Sequence, residues 1–344
     1  MRIRTRCVSS LWLLLVASYC NLATTETSLS LTDKISMATE ALAQGDSSLA
    51  GQLIQTETAE PNYALLQLEI LYWLEQRESD QAIDKLRAFE QLYPLRADTF
   101  AFSSEVWRSI GHQVNIFAKS GYYKKAVAAK IKAGQLAPDN PRYMTLAASA
   151  LGQADNYGGD MAAQKPLTER IVGLDKKWGY IARINLAQNN DEYTQGRVLA
   201  AQAAAEFGQD FDILERVGQF HWTLGEYNEA QYHFLQACKN RPNDEWHLQI
   251  KWQNACYLVG EFAKEQQIGL ENAVEALTIL LSVYTLPTES NFASADLLLT
   301  LASAEQASPA IDMLSRILNE SADKKLRRKA EKVLQRLKKQ TQAS

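Results

Sequence analysis

The sequence predicts an all-α fold built from repeated helix pairs. Three observations carry this. The same interval separates a small residue from a proline in Ala82 to Pro94, Ala126 to Pro138 and Ala230 to Pro242. Ala, Leu, Gln and Glu are abundant, whereas Gly (16) and Pro (8) are sparse in 344 residues. No stretch alternates apolar and polar residues with a period of two over several strands.

Taken in chain order, MATEALAQGDSSLAGQLI reads as a degenerate first unit. Gly45-Asp46 is its turn, and Ala50, Leu53 and Ile54 lie on its second helix. The interval ending at Pro94 places a unit near 63–96. Residues 97–106 fit no repeat and stand as an insertion that would extend one first helix. The unit 107–140 follows, with Gly121-Tyr122-Tyr123-Lys124-Lys125-Ala126 as its turn and Ala133, Leu136 and Pro138 at the expected distances. Residues 141–176 form a longer variant whose turn is stretched around Tyr157-Gly158-Gly159-Asp160. The unit 177–210 presents Tyr180, Ile184 and Ala187, the turn Asn190-Asp191-Glu192-Tyr193, then Gly196, Ala200 and Ala203.

The clearest unit is 211–244. Leu214, Val217, Gly218 and His221 share one helical face. Leu224-Gly225-Glu226-Tyr227 supplies a glycine where the first helix must end. Ala230, Phe234 and Ala237 line the inner face of a second helix, and Pro242 stops it. Gly218 and Ala230 are small where two helix backbones must approach closely. Beyond Gly260 the phase is lost, although GLENAVEALTILLSVYTLP and the two segments after it still read as helical. The array should span 28–321, as six to eight helical pairs.

Over its whole length, 211–244 resembles a tetratricopeptide (TPR) unit, and 177–210 and 107–140 repeat the resemblance. It implies a right-handed α-solenoid whose first helices line a concave groove holding an extended or helical peptide. In that phase the groove positions are Trp178, Ile181, Asn185, Gln188 and Asn189, then Asp212, Glu215, Gln219, Trp222 and Thr223. Trp246, Gln249 and Gln253 follow in looser phase. Amides suit a peptide backbone because each both donates and accepts. Tryptophan is enriched at interface hot spots. The competing reading half-buries these tryptophans between neighbouring helices. Some TPR proteins hold a C-terminal carboxylate with a Lys/Asn clamp. The corresponding places here carry Gly111, Asn115, Leu146, Trp178 and Ala182, so that clamp is not expected.

The chain opens with MRIRTR and a short apolar run, LWLLLVAS. This is the pattern of a secretory signal peptide over 1–23, too short for a membrane span. Export, most naturally to a periplasm, is the expected localisation. Cys20 raises a lipoprotein alternative, which the bulky Tyr19 before it disfavours. Beyond that segment lie Cys238 and Cys256. An oxidising compartment would permit a bridge. If the helix carrying Cys256 starts level with the end of the one carrying Cys238, about 14 Å of axial offset separates the pair, and two free thiols are expected.

Charge is unevenly placed. Thirty-six basic residues face 40 acidic ones, a net −4. The segment 322–340 holds nine basic residues against two acidic, and without it and the three N-terminal arginines the body is −14. So acidic a body disfavours nucleic acid as a partner. Residues 322–344 read as a basic terminal helix and tail, with Leu326, Ala330, Val333 and Leu337 on one stripe. That stripe would cap the array, and the basic face also suits an anionic membrane or an acidic partner. None of His112, His221, His233 and His247 pairs at i, i+4 with another His or with Cys, so no metal is expected. His221 takes a packing position and His233 falls on the outer side of its helix. The Tyr157–Asp160 turn lacks the Gly-Lys-Ser/Thr of a phosphate loop, and no nucleophile elbow or dinucleotide fingerprint is present. The expected function is a non-enzymatic scaffold without cofactors that binds a protein or peptide segment in its groove. The alternative is a component binding a small ligand or cell-wall glycan, such as one serving a transporter.

Overall fold

The computed structural model describes residues 30–43, 47–54, 61–242, 246–283, 289–303, 306–321 and 324–343. The expected signal peptide with Cys20, and the turn Gly45-Asp46, lie outside the described residues. Among those described, the chain is all-α, with 17 α-helices and no strand. In order they are α1 (Leu31–Ala43), α2 (Ser47–Ile54), α3 (Tyr63–Glu75), α4 (Ser79–Leu92), α5 (Ala97–Gln113) and α6 (Ile116–Leu136). Next come α7 (Pro141–Leu151), α8 (Met161–Leu174), α9 (Lys176–Asn189), α10 (Tyr193–Glu206), α11 (Phe211–Thr223) and α12 (Tyr227–Lys239). The last are α13 (Trp246–Gln266), α14 (Leu270–Val283), α15 (Glu289–Leu301), α16 (Ser308–Glu320) and α17 (Lys324–Ala343). Eight pairs and a terminal helix result. No described helix is long and apolar enough to cross a membrane.

Recurring caps make the pairs. First helices α3, α7, α9 and α11 are opened by Asn62, Asn140, Asp175 and Asp210, whose side chains accept from backbone N–H groups of the first turn. Three of those helices end alike. Arg77, Asp191 and Gly225 take φ of 59°, 57° and 74°, and the next N–H turns back into the helix just ended. Glu78 N donates to Trp73 O at 3.0 Å, Glu192 N to Ala187 O at 2.8 Å and Glu226 N to His221 O at 3.0 Å. A left-handed residue therefore folds the chain back at each place, and Gly225 does so without a Cβ penalty. Between the paired helices, a Cβ on Gly218 would sit 3.0 Å from the Phe234 ring, and Ala230 is fully buried. Both small residues are where the backbones converge, as their spacing predicts.

Packing curves the row. The first helices α1, α3, α5, α7 and α9 each pack against the next first helix, whereas no second helix from α2 to α10 packs against the next second helix among the described residues. The first helices thus form the tight, inner side, with the second helices splayed outside. The curvature is enough to bring α13 back against α1. The apolar stripe of α17 buries Leu326, Ala330 and Val333 against α15 and α16, leaving its basic face outward.

Three expectations fail here. First, Gly121–Ala126 is not a turn. It lies inside α6, and the chain reverses at Val114-Asn115, where Asn115 caps α6 through Phe117 N and Ala118 N. Gly121 has nothing within 4 Å of where a Cβ would be, so it is a helical glycine on open surface. The insertion 97–106 becomes the front of α5.

Second, Cys238 and Cys256 form a disulfide, with Cα atoms 5.0 Å apart. The offset argument assumed that α13 starts level with the end of α12. Instead Trp246 lies ten residues, about 15 Å, before Cys256 on its helix, so α13 begins well beyond α12 and passes back alongside it. The run from Lys239 to Trp246 can span about 3.3 Å per residue, enough for that climb. Trp252 Nε1 locks the crossing by donating to Cys238 O at 2.6 Å. Third, His233 is half-buried rather than outward, its ring stacked on His221 at 5.6 Å.

Candidate functional site: the inner face of the array

The side chains that α9 and α11 turn away from their neighbours are amides, acids and tryptophans. The structure sorts the sequence candidates into three groups. Ile181 leaves the site. It is buried with Ile184, Ile213 and Val217 in the seam between α9 and α11. First helices packed side by side need an apolar residue at that place, which the phase alone does not reveal.

Trp178 and Asp212 belong to a cleft at the starts of α9 and α11. Lys177 Nζ sits between Asp210 Oδ2 at 2.9 Å and Asp212 Oδ2 at 2.8 Å, and 4.8 Å from the Trp178 ring. Burial opposes the charge on Lys177, but the two carboxylates outweigh it and raise its pKa. Trp178 is half-buried, packed against two apolar clusters. Arg142, Gln209, Asn240 and Arg241 complete a cleft of about 430 Å³.

The third group is a polar run along the inner face. Asn185, Gln188, Asn189, Glu215 and Gln219 are partly exposed, and Trp222 and Thr223 are exposed, Trp222 by 39 %. Gln188 Nε2 donates to Thr223 Oγ1 at 3.4 Å, tying α9 to α11. Thr223 in turn donates to Gln219 O at 2.9 Å. The Asn189 amide lies against Gly152, where a Cβ would fall 1.8 Å from Asn189 Nδ2 and 2.7 Å from the Gln164 amide. Trp222 leans on Phe262 of α13, ring centroids 5.8 Å apart, and keeps one face free of the core. Gln253 is partly exposed on α13. Helix α13 begins at Trp246, but the side chains of Trp246 and Gln249 lie outside the described residues.

Two features of this face were missed in the sequence. Arg216 follows Glu215 and donates through Nη2 to Gln188 Oε1. Its Nε is buried with no hydrogen-bond partner among the described residues, and burial lowers the guanidinium pKa to about 10. One helical turn from Gln219 and next to Glu215, it could have been found from spacing. The second feature is a charge cluster on α5. Arg108 Nη2 bonds Glu105 Oε2 at 2.7 Å, and Lys130 Nζ approaches Glu105 Oε1 at 3.6 Å. Burial pushes the Glu105 pKa up, but Lys130, Arg108 and then Lys251 outweigh it and lower the value to about 2. Lys251 comes from α13, on the far side of the curve, and no periodicity could have placed it there.

The stretched turn of 152–160 is structural. Gly158 takes φ of 90°, and a Cβ on Gly159 would meet Gln153 O at 1.7 Å. No group of three or more potential metal-ligating side chains occurs among the described residues. No protein-family model matches the chain, and no curated protein is significantly similar to it.

Proposed function

We propose that the protein is a TPR-like, right-handed α-solenoid that acts as a non-enzymatic scaffold, binding a protein segment along its inner face in an exported compartment. The carrying observation is that six successive first helices form one continuous inner row, on which α9 and α11 carry partly exposed amides and acids beside the exposed Trp222. Amides in series can bond a peptide backbone, and an exposed indole supplies anchor area. The buried Cys238–Cys256 bridge favours an oxidising compartment, consistent with the signal-like N-terminus. The outward basic face of α17 leaves an anionic membrane as a second attachment.

The test is capture. The partner retained by the wild type from an envelope extract is identified and its affinity measured on Trp222→Ala with Gln219→Ala. Weaker binding with unchanged helical content and melting temperature supports the reading. Unchanged binding removes the inner face as the site. A second reading, small-ligand binding, is favoured by one observation, the 430 Å³ cleft lined by Trp178, Gln209 and Asn240. A cell-wall glycan fragment that protects Trp178 fluorescence from quenching would shift the conclusion to it.

A further inference from the structure

The outer side of the array carries a cationic stripe that inner-face binding does not use. Helix α6 holds five lysines and no acidic residue over 21 positions. It does so in a body that carries 14 excess acidic charges with those lysines counted. As a second helix it stands on the splayed, outer side, packed against α5 and α7. Its exposed positions recur at helical spacing. Phe117, Gly121, Lys124, Ala128 and Lys132 share one face, with Lys125 beside them. Phe117 is 93 % exposed, the most open large apolar side chain among the described residues.

The charge of that face is not cancelled. Of the five lysines, Lys130 has a carboxylate partner, Glu105 of α5. Lys119, Lys124, Lys125 and Lys132 make no ion pair among the described residues. Three of these four lean on rings instead. Lys125 Nζ lies 4.4 Å from the Trp107 ring and 5.1 Å from that of Tyr122. Lys119 Nζ lies 5.4 Å from the Tyr123 ring, and Lys132 Nζ 6.0 Å from the Phe100 ring. A ring face holds an ammonium in place and leaves its charge intact. Between the cations the side chains are small. A Cβ on Gly121 would meet nothing within 4 Å, and Ala128 is exposed.

We propose that the outward face of α6 docks the protein on an anionic bilayer, with Lys124, Lys125 and Lys132 over the lipid phosphates and Phe117 entering the headgroup boundary. The proposal is independent of inner-face binding, because docking through the outer side leaves the inner row open. A bilayer suits the face better than an acidic protein does. The helix presents a straight stripe about 30 Å long. Its small central residues give a protein partner nothing to interlock with, whereas specific protein interfaces are closely packed at their core. A lipid surface asks only for positive charge and an apolar wedge, and both are here. Aromatic side chains also settle readily at the headgroup level.

The probe is vesicles of equal parts phosphatidylglycerol and phosphatidylcholine, with pure phosphatidylcholine as control, sedimented with the full chain. The N-terminal apolar run is common to every variant and cancels from the comparison. All variants also carry Arg327→Gln, Arg328→Gln and Lys332→Gln, so that the basic face of α17 does not mask a loss at α6. Binding should favour the anionic vesicles and weaken as sodium chloride is raised. Adding Lys124→Gln, Lys125→Gln and Lys132→Gln should weaken it by about a hundredfold, at roughly fivefold per basic residue, with the melting temperature near that of the parent. Phe117→Trp, at a side chain that packs on almost nothing, should keep binding and add an emission component that shifts to the blue on anionic vesicles. Equal affinity after the three lysine changes would overturn the proposal, as would no preference for anionic vesicles or no blue shift from position 117. Capture of an acidic protein that depends on the same lysines, without vesicle binding, would overturn it in favour of a protein partner.

Discussion

Reducing the Cys238–Cys256 bridge perturbs the one covalent link that fixes α13. The bond closes a loop of 18 residues in the unfolded chain. Chain entropy for a loop of that length gives about 3 kcal/mol of stabilisation. For a cooperative unit of some 200 residues, that corresponds to a melting temperature lower by roughly 6–12 °C. Both sulfurs are almost wholly buried, and Trp252 donates to the carbonyl of Cys238. Reduction should therefore also loosen the contact between α13 and its neighbours, raising amide exchange across 246–266. Reduction is a cleaner perturbation than Cys238→Ser, which would bury an unpaired hydroxyl. The assay is a thermal melt with and without reductant, alongside peptide mapping under non-reducing conditions. A mapped peptide pair containing both cysteines and a lower melting point on reduction are expected. Two unlinked peptides and a melting point indifferent to reductant would refute the placement of α13.

Two further outcomes follow from the packing. Ala230→Trp should lower the melting temperature strongly, because Ala230 is fully buried where α11 and α12 converge and overpacking costs about 1–3 kcal/mol; an unchanged melt would contradict the helix pairing. His233 has its pKa lowered from 6.5 to about 4 by burial and then by the charge of His221, so its neutral form is the native one. Its contribution is complete above pH 6.5 and is lost as pH falls toward 4, so the melting temperature should rise across that window. His233→Phe should flatten the rise, and an equally steep profile in the variant would contradict the assignment.

How far the sequence reached depended on whether the signal was local. The units over 177–244 were legible because caps and turns are local chemistry. Asp175 and Asp210 open helices, and Asp191 and Gly225 close them. Gly121 misled because an exposed helical glycine looks the same in sequence as a turn glycine, and only the open space around it distinguishes them. Ile181 passed for a groove residue because its burial comes from Ile213 and Val217 on the neighbouring helix. The disulfide was missed because it depends on how far α13 overshoots α12, a quantity set by the path from Lys239 to Trp246. Lys251 near Glu105 depends on the curvature of the whole row. Residues beyond Gly260 remained helical but lost phase where α13 lengthened to 21 residues.

The most direct test of inner-face binding is to measure affinity and stability on the same Trp222→Ala, Gln219→Ala protein. An interface tryptophan carries about 2 kcal/mol or more, so the partner should bind roughly thirtyfold more weakly while the melting temperature stays near that of the wild type. Wild-type affinity at wild-type stability would contradict the account and place the partner on another surface.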